Sequence, residues 1–189
     1  NRTFFTEERK RMDNSRFLPL SIIIGDVNGL KLINDAFGHT EGDKVLVEIA
    51  NVFRLCLRKS DIAARIGGDE FSILLPNTNN ESTRLIVERI RKMIESRHTS
   101  GKMIYPNIAL GCATKSSEEQ AFEEIFILAE DQMYRRKLNE NKSFHNSVLT
   151  SIKATMYEKS YETEAHAERL AKMAKKLGQA VRLSEEKLD

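Results

Sequence analysis

Residues 63–75 read AARIGGDEFSILL, and the two glycines and two acids set between apolar runs decide how the chain folds around them. The flanking runs read as short strands. A Gly-Gly-Asp-Glu tip between them is good hairpin chemistry, because glycine accepts the backbone angles of tight turns and aspartate bonds neighbouring backbone groups. Taken alone, the tip is a solvated turn. Adjacent carboxylates admit a second reading, in which the tip holds a cation.

Working outward, strand signals fall at 20–27 (LSIIIGDV), 61–66 (DIAARI), 70–75 (EFSILL) and 104–114 (IYPNIALGCAT), each short and rich in β-branched residues. Helical stripes fill the gaps: Val45, Ile49, Val52, Phe53 and Cys56; Leu85, Ile86, Ile90, Met93 and Ile94; Phe122, Ile125, Phe126, Ala129 and Met133. An antiparallel hairpin within an alternating series of strands and helices predicts an α/β or α+β fold with a central, mostly antiparallel sheet. Beyond residue 142 the strand signals stop. Residues 142–178 read as nearly continuous helix, with a break at 160–163 and Gly178 as its C-terminal stop.

The chain has 189 residues, 40% hydrophobic and 31% charged, with a net charge of +2. Near-balanced charge argues against a large nucleic-acid footprint, so any anion site must be built locally. No apolar run approaches the ~20 residues of a membrane span and no signal peptide is visible, so a cytoplasmic segment is expected. Cys56 and Cys112 lie far apart without metal-ligand spacing and read as buried free thiols.

A second acid stands in IIIGDVNGLKLINDAFGH: Asp26 follows an apolar run and a glycine, and Lys31 comes five residues later. Asp26 reads either as a strand-ending cap for the next helix or as a metal ligand. If its strand neighbours the hairpin, Asp26 and Asp69 converge. Crowded carboxylates repel unless a cation sits among them, and an all-oxygen donor set selects Mg²⁺ or Ca²⁺ over zinc. A Mg²⁺ held by few carboxylates ordinarily completes its shell with water and phosphate oxygens.

IGDVNGLKLINDAFGHTEGD followed by RIGGDEFSILL resembles the GGDEF family of diguanylate cyclases, which join two GTP molecules into cyclic di-GMP. The resemblance spans residues 1 to about 141. It implies a nucleotidyl-cyclase or polymerase-palm-like sheet, Mg²⁺ (or Mn²⁺) as cofactor, GTP as substrate, cyclic di-GMP as product and ligand, and a homodimer facing across a two-fold axis for catalysis. By position, it implies metal ligands at Asp26, the Val27 carbonyl and Asp69, with Glu70 beside them, and Asp69 as general base. Gly29 and Leu30 would form a phosphate-facing turn, with Lys31, Arg65 and Lys137 supplying charge. Asn34 and Asp43 would read guanine, and Arg58 with Asp61 would form the family's inhibitory product site, RxxD. His39 reads as structural.

This chain departs from the family pattern in places. Asn28 stands where many relatives have a second Asp, and Gly29-Leu30 replaces a bulkier turn. AEDQMYRRKLNENKS resembles the family's ADxALYxAKxxGRN, with Asn141 at the position of its Arg and Lys142 adjacent. Residues 142–160 read as a helical linker. Residues 161–189 resemble the truncated start of an HD-type phosphohydrolase, with His166 at its first histidine and too few ligands for a metal site. Diguanylate cyclase is the leading expectation. The alternative is a non-catalytic GTP or cyclic di-GMP binding module regulating an attached HD-type phosphodiesterase.

Overall fold

The computed structural model describes residues 1–97, 105–159 and 164–180, with side chains described through residue 140 and over 169–177. The chain parts into two compact units, residues 1–148 and 149–189. In the first, α1 (Arg2–Met12) leads through a 3-10 turn into β1 (Leu20–Val27). Next come α2 (Leu30–Phe37), α3 (His39–Cys56), β2 (Ile62–Arg65), β3 (Glu70–Leu75), α4 (Asn80–Glu95), β4 (Ile108–Lys115) and the start of α5, a helix whose full span is Phe122–Lys159. The strands form one antiparallel sheet in the order β2-β3-β1-β4.

Strand alternation sorts the core into two layers. Leu20, Ile22, Ile24, Leu74 and Ala113 point to the face covered by α1 and α5, where Phe5, Met12, Phe122, Ile125 and Ala129 complete a buried cluster. Ile23, Phe71 and Ile73 occupy the opposite face, and Phe53 of α3 meets Phe71 edge-on at 5.4 Å between ring centroids. At Gly111 a side chain is excluded: an added Cβ would lie 2.0 Å from the Ala129 carbonyl oxygen and 2.4 Å from the Met133 nitrogen. β4 and α5 therefore touch backbone to backbone, which fixes α5 against the sheet.

The strands expected at 20–27 and 70–75 form with those bounds, while β2 and β4 are shorter than expected. Ile104 lies outside the described residues. Leu85 stands 67% exposed rather than in the core, because it sits one residue, about 100° of helix, away from Ile86, and the buried stripe of α4 runs through Thr83, Ile86, Val87, Ile90 and Ile94. Both cysteines are buried free thiols.

In the second unit, α6 (Glu164–Ala180) runs past Gly178 instead of stopping there, since an interior glycine costs a helix only about 1 kcal/mol. Leu170, Met173 and Leu177 are exposed along one side of α6. The break expected at 160–163 and the side chains of Leu149, Ile152, Met156 and His166 lie outside the described residues. Among the described residues no helix is long and apolar enough to cross a membrane.

Candidate active site at the end of β1 and the β2–β3 hairpin

The alternation that aims Ile22 and Ile24 at α5 aims Asp26 the same way, at the last turn of an apolar strand. Asp26 is buried, and its cross-strand partner on β3 is Glu70. The hairpin tip closes over this end: the Val27 N–H donates to the Asp69 carbonyl at 2.9 Å. Asp26, Val27, Asp69 and Glu70, the residues expected to cluster, are thus brought to one edge. Burial pushes the Asp26 carboxyl above its usual range; Lys137 opposes this, and the negative charges of Asp69 and Glu70 add to it. Lys137 reaches across from α5 and places Nζ 2.7 Å from Asp26 Oδ1. An ammonium ion therefore already meets the buried carboxylate, as a cation's place among these acids requires.

The glycines of the tip have a local reason. An added Cβ on Gly67 would lie 2.4 Å from Glu70 Oε2, so the Glu70 side chain folds over the space that glycine leaves. Arg65 donates from Nε to the carbonyls of Gly67 and Gly68 at 3.2 and 3.1 Å, and from Nη2 to Gly68 at 2.7 Å. Three donations make Arg65 the brace of the tip. Sequence reasoning expected only a phosphate-facing cation there and missed this role.

On the other side of Asp26, Gly29 takes a left-handed conformation (φ +67°) and starts α2, with Leu30 buried beneath it and Lys31 exposed on the first turn. First-turn N–H groups lack intrahelical acceptors, which suits this turn to an anion. Asn34 lies on Gly42: an added Cβ there would be 1.9 Å from Asn34 Oδ1. The small residue lets α2 and α3 approach, and Asp43, the next position of α3, is exposed. His39 begins α3 and is exposed.

Arg58 and Asp61 form a closed turn away from the acidic edge. The Arg58 N–H donates to Asp61 Oδ2 at 2.8 Å and the Asp61 N–H donates to the Arg58 carbonyl at 3.1 Å. Both line a groove of about 630 Å³ that also includes Arg54, Lys59 and Phe71. Arg89 braces this region from α4 by donating to the Cys56 carbonyl. Asn141 lies in α5, and its side chain is outside the described residues.

Among the described residues no group of three or more His, Cys, Asp or Glu side chains is arranged to hold a metal ion by itself. The donor set is nevertheless all oxygen: two or three carboxylates and the Val27 carbonyl, with Asp26 buried and short of compensating charge beyond Lys137. That chemistry fits a hard divalent cation whose remaining ligands come from phosphate or water.

Known proteins resemble the chain in both sequence and fold. It is 37% identical over 122 residues to diguanylate cyclase A of Treponema denticola, a match covering 64% of this chain and 33% of that protein. It is 39% identical over 120 residues to diguanylate cyclase DgcP of Pseudomonas aeruginosa, covering 62% and 18%. The matched region thus spans a third or less of these two relatives. Among solved structures, the GGDEF domain of TpbB (YfiN) from P. aeruginosa superposes with a TM-score of 0.64 at 33% identity, covering 74% of this chain and 84% of that one. Residues 1–143 match the family model described as "Diguanylate cyclase, GGDEF domain", and the chain belongs to that family.

Proposed function

We propose that this domain is a diguanylate cyclase that condenses two GTP molecules into cyclic di-GMP and two pyrophosphates. The observation that carries the reading is the gathering of Asp26, the Val27 carbonyl, Asp69 and Glu70 at one strand end, with Lys137 held there from α5. Relatives named as diguanylate cyclases support it.

Asp26, Val27 and Asp69 would hold Mg²⁺, or Mn²⁺ in its place, which when bound neutralises phosphate charge and polarises the phosphorus. Asp69, at the solvent-facing tip, accepts the proton of an attacking 3′-hydroxyl. The Gly29–Leu30 turn and Lys31 bind the phosphate chain, and Lys137 exchanges Asp26 for a phosphate oxygen when nucleotide enters. Asn34 and Asp43 orient the base: a carboxylate accepts from guanine N1–H and N2–H₂, donors that adenine does not present at that edge. One protomer offers one such site, so two copies face each other about a two-fold axis.

Cyclic di-GMP returns to the groove at Arg58 and Asp61 as an inhibitor, where the guanidinium donates to guanine O6 and N7; a microbial GGDEF domain has been solved with this dinucleotide. Residues 161–189 as the start of an HD-type hydrolase rest on sequence likeness alone. Incubation of the chain with Mg²⁺ and GTP, with products separated by chromatography, tests the reading: cyclic di-GMP is expected, and its absence at every protein concentration refutes it.

A further inference from the structure

Four side chains from four separate parts of the fold interlock behind the acidic strand end. Asn28, buried just after β1, donates from Nδ2 to Asn107 Oδ1 at 2.6 Å and to Glu140 Oε2 at 3.3 Å, and its backbone N–H donates to the Asn107 carbonyl at 2.9 Å. The other carboxylate oxygen of Glu140 receives Nη2 of Arg91 from α4 at 2.6 Å. Lys137, three residues before Glu140, meets Asp26. Helix α5 thus grips the strand end with two groups of opposite charge on one of its faces, matched to residues 26 and 28. Sliding or turning α5 by one residue breaks both grips.

The pairing at residue 28 works only with an amide. An aspartate there has no hydrogen to donate and sets a second carboxylate against Glu140. Asn107 can turn its amide over to meet such a change; Glu140, acceptor-only and held by Arg91, cannot.

Resting on the reading of this strand end as a metal and phosphate site, we propose that Glu140 is a positioning residue for it. Glu140 selects an amide at position 28 and, with Lys137, fixes the register of α5 from which Lys137 meets the phosphates.

Two measurements on the full chain test this. The first is a double-mutant cycle of Asn28→Asp and Glu140→Gln, read without metal or nucleotide by native-state hydrogen exchange of β1 and β4 amides. Asn28→Asp alone raises the open population by about tenfold or more, and adding Glu140→Gln removes most of that rise, because a glutamine amide donates to Asp where Glu cannot. Additive effects overturn the selection. The second is calorimetry with Mg²⁺ and an α,β-methylene analogue of GTP, which binds without being cleaved. Glu140→Ala weakens binding by about tenfold or more, while Glu140→Gln, whose oxygen accepts from Arg91 and whose amide donates to Asn28 Oδ1 once the Asn28 and Asn107 amides turn over, recovers most of the affinity. Equal affinities in all three proteins overturn the positioning role. Wild-type protein that binds no analogue overturns the cyclase reading instead, and the exchange cycle, which uses no nucleotide, still decides the Asn28–Glu140 coupling.

Discussion

Replacing Lys137 by methionine keeps most of the packing of its aliphatic stem and removes the charge that faces Asp26. The pair is separated by 2.7 Å, with side chains 29% and 10% exposed. At an effective dielectric of about 20 the gross attraction is about 6 kcal/mol. Partial exposure of the lysine and relaxation reduce the loss to about 2–3 kcal/mol, somewhat less than breaking a fully buried pair costs. The penalty depends on pH in a set direction. Burial already holds the Asp26 carboxyl above its unfolded value, and losing Lys137 raises it further. A carboxyl raised in the folded state favours folding at pH below its unfolded value, and that advantage is lost as pH rises through the folded value. The methionine variant is therefore expected to lose its full 2–3 kcal/mol near pH 8 and less near pH 4, because a carboxyl raised further by the loss of Lys137 takes up its proton more readily as pH falls and so sheds the unpaired charge. Hydrogen exchange at β1 and β3 amides in chelator-treated buffer, corrected for intrinsic exchange rates, reads the sheet directly. Adding Asp26→Asn should recover most of the loss at pH 8. An equal penalty at both pH values, or a loss below about 0.5 kcal/mol, the range of an exposed pair, would refute the reasoning.

Asp43→Ala is expected to weaken GTP by about 1–3 kcal/mol, the cost of unpaired polar groups, and ATP by much less; calorimetry showing equal losses contradicts the guanine assignment. Arg58→Ala should lower cyclic di-GMP affinity and relieve product inhibition while leaving the initial rate unchanged, and unaltered dinucleotide binding removes the inhibitory groove from the account. Gly111→Ala forces a methyl group onto the α5 backbone and should cost at least about 3 kcal/mol, the upper range for overpacking; a fully stable variant in thermal unfolding would mean that β4 and α5 separate easily.

Much of this architecture is legible locally. The 20–27 and 70–75 runs carry their own strand signal, and the glycine-rich tip between 65 and 70 announces a hairpin, so the convergence of Asp26 with Asp69 follows once β1 pairs with β3. Core stripes emerge from helical periodicity, with Leu85 misplaced because a stripe's edge cannot be told from its centre by spacing alone. Contacts that join distant residues leave no such trace. Asn28 and Glu140 are 112 positions apart, and neither neighbourhood shows that one will donate to the other. Arg65 illustrates a different gap: its charge is visible in sequence, but its bonding to the Gly67 and Gly68 carbonyls depends on how the tip closes. Gly178 reads as a stop on propensity, yet α6 continues through it.

The most direct test of the central claim is the rate of cyclic di-GMP formation from GTP and Mg²⁺, measured over a range of protein concentrations for the wild-type chain and for Asp69→Asn. Two half-sites meeting across a two-fold axis predict a specific rate that rises with protein concentration. An asparagine at the tip can neither accept the hydroxyl proton nor neutralise the metal, so a loss of about 10²-fold or more is expected with the fold intact. Turnover independent of protein concentration, or wild-type rates in folded Asp69→Asn protein, would contradict the account.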